Sequence, residues 1–103
     1  MRFSPELRDG VAAGDITVSV RLWQRPQVTS GRSYVTEGVR IEVDSVELVP
    51  FSAVTADDVA RSGETDREAL RRRAAHAGPV TDDTPVYRIE FHVVPGQDVP
   101  RRE

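Results

Sequence analysis

Ser19, Arg21 and Trp23 stand at alternate positions within the stretch GDITVSVRLW, Gly14 to Trp23. They present a hydroxyl, a guanidinium and an indole. A hydroxyl becomes a nucleophile only beside a base that takes its proton. A guanidinium is always charged, suits phosphates and base edges, and is a poor general base. An indole face either packs in a core or stacks on an unpaired base. Thr17 shares this face, while Ile16, Val18, Val20 and Leu22 fall on the other. Alternation of that period marks a half-buried strand. Arg21 therefore has two readings, a ligand anchor or an ion-pair partner of Glu42 or Glu90.

Other residues add to this set or fail to. Arg25 and Arg32 flank the loop QRPQVTSG and extend the candidate binding set as a phosphate-facing rim. Arg71, Arg72 and Arg73 are consecutive in a helical stretch, so they splay around it and read as a solvated face near the negative helix end. His76 and His92 are the only histidines, and no carboxylate stands at a metal-ligand spacing from either, so no metal site and no cofactor is expected. There is no glycine-rich phosphate loop, no Ser-His-Asp order and no zinc motif.

Composition narrows the chemistry further. All 14 basic residues are Arg, so no mechanism can use a Lys amine. Cys is absent, which removes disulfides and thiolate metal sites. The net charge of −3 argues against nonspecific nucleic-acid binding and leaves room only for local, salt-sensitive affinity. At 103 residues, 38% hydrophobic and 30% charged, the chain fits one small soluble domain with one core. MRFSPELRDG has no apolar leader, and no run reaches membrane-spanning length; a cytoplasmic protein is expected.

These residues need elements to position them. SPELRDGVAAG reads as a helix with Ser4 as N-cap, Pro5 in the first turn, Leu7 and Val11 on one face and Gly14 as the stop. A strand over Ile16–Trp23 follows. RSYVTEGVRIEVDSVELVPF predicts a short strand, a turn at Glu37–Gly38 and a long strand. There the apolar series Val39, Ile41, Val43 slips phase to Val46 and Leu48, so a bulge is expected near Asp44–Ser45. Thr55 with Asp58 caps one helix. Thr65 with Glu68 is a capping box for a second helix, running to about His76. The last strand alternates Tyr87, Ile89, Phe91, Val93 against Arg88, Glu90, His92. Strands with mid-chain helices imply an α+β fold, a small curved sheet or partial barrel with helices at its side.

The order of these phrases resembles the ASCH domain family, a PUA-like fold. AAGDITVSVRLW resembles the family's G-x-K-x-x-T-x-R box, VTSGRSYV its next strand entry, IEVDSVELVPFSAVTADDV its long central stretch and TPVYRIEFHVV its closing strand. The resemblance, over roughly Leu7 to Val94, implies a small PUA-like/ASCH β-barrel of about five strands; one domain over residues 1–94 is expected, and PGQDVPRRE reads as a flexible tail over 95–103. On the box, Gly14 and Arg21 match, Ile16 stands at the Lys and Ser19 at the Thr. Ser62-Gly63-Glu64 stands where the family writes Glu-Gly-Phe, placing Ser62 at the acid.

In family members that hydrolyse N4-acetylcytidine, the Lys, Thr and Glu form the reactive set. Ile16 has no proton to move and Ser62 no carboxylate. The catalytic candidates are accordingly only Ser19, Ser62 and Glu64, and the ligand-binding set is Ser19, Arg21, Trp23, Arg25, Arg32 and Ser62. The first expectation is a non-catalytic module binding RNA or a nucleoside- or nucleotide-like ligand. The alternatives are a small amidohydrolase or esterase of an acylated nucleoside, and a protein-interaction domain with a vestigial cleft. No membrane partner is expected, and monomer and homodimer both stay open.

Overall fold

The structure is a computed structural model, and it describes residues 2–36, 38–75 and 78–94. Helix α1 (Pro5–Ala13) leads into strand β1 (Val18–Arg21), then β2 (Ser33–Thr36) and the long β3 (Val39–Pro50). A one-turn 3-10 helix (Phe51–Ala53) follows, then α2 (Ala56–Arg61), α3 (Arg67–Ala74) and β4 (Pro85–Val93). The four strands form one antiparallel sheet in the order β1-β4-β3-β2, curled into a half-barrel. The sequence suggested about five strands; among the described residues there are four. No helix among them is long and apolar enough to cross a membrane.

The sheet carries a core on each face. Phe3, Leu7, Val11 and Ile16 pack with Val28, Ile41, Val43, Ile89 and Phe91 on the α1 side. Val18, Val20 and Val86 pack with Phe51, Val54, Val59, Leu70 and Ala74 on the side of α2 and α3. The alternation in β4 sends Ile89 and Phe91 to the first cluster and Val86 to the second, as a period of two requires. The bulge falls where the phase slip predicts it. Val43 faces Phe91 and Ser45 faces Glu90, leaving Asp44 as the extra residue. Val46 thereby returns to the first cluster, but Leu48 is 58% exposed and does not continue the series.

Local signals account for most helix ends. Gly14 takes φ 85°, and its N–H donates to the carbonyls of Gly10 and Val11. Ser4 occupies the N-cap with extended backbone, but its side chain makes no capping bond. Thr55 and Asp58 form the reciprocal capping box. The start of α3 needs correction: the N-cap is Asp66, whose carboxylate accepts from Ala69 N–H, rather than Thr65. Asp is the stronger N-cap of the two. His76, the expected end of that helix, and the tail 95–103 lie outside the described residues.

Strand β1 is shorter than the alternation suggested. The N–H groups of Asp15 and Ile16 both donate to the Gly10 carbonyl, so Ile16 still belongs to the exit of α1. Its side chain is buried in the α1 cluster, not with Val18 and Val20. It lies between two glycines: a Cβ on Gly10 would sit 2.7 Å from Ile16 Cδ1, and one on Gly63 2.6 Å.

A cleft built on strand β1

A cleft of about 500 Å³ opens between the N-terminal segment, α1, β1, the turn after α2 and α3. Ser19, Arg21, Trp23, Ser62 and Glu64 all line it. Residues 43 positions apart in the chain meet there because β1 and the Ser62–Glu64 turn lie side by side: Thr17 N–H donates to the Arg61 carbonyl at 2.8 Å. Gly63, with φ 84°, makes the turn between Ser62 and Glu64, both of which line the cleft.

Arg21 is held without being neutralised. Its Nε–H donates to Ser19 Oγ at 2.6 Å and its Nη2 to the Arg2 carbonyl at 2.6 Å. Its guanidinium lies 5.2 Å from the Phe3 ring centroid and 5.9 Å from that of Trp23. Among the described residues no carboxylate pairs with it, and burial pulls its pKa down to about 10. The ion pair to Glu42 or Glu90 is therefore not made. Glu90 is engaged on the opposite face of the sheet with Arg61 and Arg88.

The two hydroxyls are also committed. Ser19 is 8% exposed, and its oxygen accepts from a guanidinium, which cannot take a proton. Ser62 donates to the Val59 carbonyl at 2.7 Å. Glu64 is buried against Arg73, which also reaches Glu6 at 3.0 Å. Trp23 is half-buried, its ring tilted against Tyr87 with centroids 6.1 Å apart. It packs on one side and lines the cleft on the other.

The structure separates Arg25 and Arg32 from this group. Both are exposed, and neither lines the cleft. The other arginines that line the cleft with Arg21 are Arg2, Arg8 and Arg73. Arg73 was hidden in the Arg71–Arg73 run. The three do splay: Arg71 turns to Asp82 and to the Phe51 ring, and Arg73 turns into the cleft. The run is thus not a uniformly solvated face.

Two further polar groupings lie elsewhere. On the α2 face of the sheet, Arg88 donates to Asp58 at 2.7 Å, and Arg61 pairs with Glu90. Burial works to raise the Asp58 carboxyl, but the Arg88 hydrogen bond and the Thr55 N–H outweigh it and hold its pKa below the usual value. At the bulge, His92 Nδ1 lies 3.0 Å from Asp44, and Glu42 completes a trio whose ligand atoms are within 4.8 Å of one another. Spacing along the chain could not show this, because Glu42 faces His92 across the strands. The hydrogen bond with Asp44 raises the His92 pKa.

No family model matches this chain, and no curated protein matches it. Solved structures do. The ASCH domain from Lactobacillus crispatus JV V101 is 22% identical, with a TM-score of 0.66 over 82% of this chain and 68% of that one. A DUF984 protein from Enterococcus faecalis V583 is 18% identical, also at 0.66, over 86% and 70% of the two chains. Likeness at this identity bears on the fold. The chain has an α+β, ASCH-like fold, with its cleft on β1.

Proposed function

We propose that the protein is a non-catalytic ASCH-like module that binds RNA or a nucleoside- or nucleotide-like ligand in the β1 cleft. The observation that carries this reading is the convergence of a guanidinium, two hydroxyls and an indole on one cleft of about 500 Å³. That volume lies within the usual range for small-molecule sites. An aromatic ring to stack on and fixed hydrogen-bonding groups are what an unstacked base requires.

The same residues support the non-catalytic reading. Ile16, at the family's Lys position, is buried in the core and does not line the cleft. Ser19 meets a donor where a nucleophile needs a base. Glu64, the nearest carboxylate in the turn, is held by Arg73.

Trp23 is the only Trp, so its fluorescence reports on the cleft directly. Titration with cytidine, N4-acetylcytidine and a short single-stranded RNA should change that signal, and amide shifts should centre on Ser19, Arg21, Trp23 and Ser62. No change with any of the three would overturn the reading. Release of acetate from N4-acetylcytidine above background would replace it with the hydrolase reading.

A further inference from the structure

We infer that the ligand of this cleft carries a phosphate-type oxyanion and that Arg21 is the counter-charge it meets. The inference rests on the reading of the cleft as a ligand site. It goes beyond that reading by fixing the charge of the ligand and the side chain that receives it.

The case begins with how the other guanidinium groups are satisfied. Arg61, Arg71, Arg73 and Arg88 each meet at least one carboxylate, while Arg67 rests on the Phe51 and Val54 carbonyls and the Phe51 ring, outside the cleft. Arg73, which shares the cleft, is neutralised there by Glu64 and Glu6. Among the described residues Arg21 meets only neutral acceptors, the Ser19 hydroxyl and the Arg2 carbonyl, together with two aromatic faces. These contacts orient the group, but none cancels its charge. Taking an unpaired charge out of water is costly. The fork geometry of a guanidinium is matched by a phosphate, which accepts two parallel N–H bonds.

Orientation is the second part of the case. Nε is used by Ser19 and one Nη2 hydrogen by the Arg2 carbonyl, so Nη1 has no partner among the described residues. A neutral base edge would add one more uncharged acceptor to a group that already has two. An oxyanion would supply the charge that the cleft lacks. Trp23, beside the guanidinium, is then placed for the remainder of the ligand.

The test compares three probes on the full chain at low salt, following Trp23: inorganic phosphate, cytidine and cytidine 5′-monophosphate. The monophosphate should bind about tenfold or more tightly than cytidine, as a charge-assisted pair implies. Arg21→Gln should remove that preference. Arg21→Lys, which keeps the charge and loses the fork, should retain part of it, and it carries the test if Arg21→Gln does not fold. Equal affinity for cytidine and its monophosphate would overturn the inference and leave the nucleoside reading standing. A response to inorganic phosphate with none to either nucleoside form would support the oxyanion and overturn the nucleoside reading. Silence with all three would overturn both.

Discussion

Arg21 and Arg88 lie on neighbouring strands, on opposite faces of the β1–β4 ladder, in opposite circumstances. Arg88 is 16% exposed and reaches Asp58, Glu90 and Glu47. The hydrogen bond with Asp58 raises its pKa despite burial. Among the described residues Arg21 has no such partner, and burial alone lowers its pKa to about 10. A paired guanidinium joins α2 to the sheet, whereas an unpaired one costs stability wherever nothing binds it. The first is a fastener of the fold, and the second is explained by what it can receive.

The largest expected effect comes from breaking the paired side. Asp58 is 3% exposed and serves both the capping box and Arg88. Asp58→Ala should cost about 3–5 kcal/mol in urea unfolding, because it leaves Arg88 buried without its main partner. Adding Arg88→Met should recover part of that loss; a double variant no better than the single would show that capping, not charge, dominates.

Gly63→Ala comes next, since the turn it makes joins the two regions. Its φ of 84° and the 2.6 Å approach to Ile16 Cδ1 both oppose a Cβ. A loss of about 1–3 kcal/mol is expected, with disturbed Ser62 and Glu64 signals. Wild-type stability would show that the turn yields freely.

Arg21→Leu is the sharpest comparison. It should leave stability unchanged or raise it by about 1 kcal/mol, or roughly 4–8 °C in melting temperature, while abolishing ligand binding. A loss comparable to that of Arg88→Leu would erase the distinction between the two sites.

The smallest effect belongs to the exposed His92–Asp44 pair. The folded pKa of His92 is raised, first by the Asp44 hydrogen bond. Its stabilisation is thus complete below the unfolded His value and is lost as pH rises through the folded one. Asp44→Asn should lower the His92 titration midpoint seen by NMR; an unchanged midpoint would show that the pair does not form in solution.

Much of the fold could be read where its cause is local. The alternation of β4, the phase slip at Asp44 and the Thr55–Asp58 box each lie within a few residues, and each stands in the structure. Ile16 misled because alternation is indifferent to whether a preceding helix has let go of the chain. The candidate site divides in the same way. Ser19 and Arg21 share one face of β1 and Trp23 follows at the same spacing just past its end, so their association is visible in order alone. Arg73 reaches the cleft only through the packing of α3, and the loop bearing Arg25 and Arg32 carries no periodicity to aim it. His92 meets Asp44 and Glu42 through strand register, which no spacing along the chain encodes.

The wedge of Ile16 between Gly10 and Gly63 makes the order of mutations matter. Gly10 lies within α1, where Ala would ordinarily strengthen the helix by about 1 kcal/mol. With Ile16 present, the new methyl meets Cδ1 at 2.7 Å and Cγ1 at 2.9 Å. A lineage that first shortens Ile16 to Ala opens that space and can then accept Ala at position 10 as a gain. A lineage taking the steps in reverse must first pass through a crowded intermediate. The same replacement is thus favourable or harmful depending on what came before it.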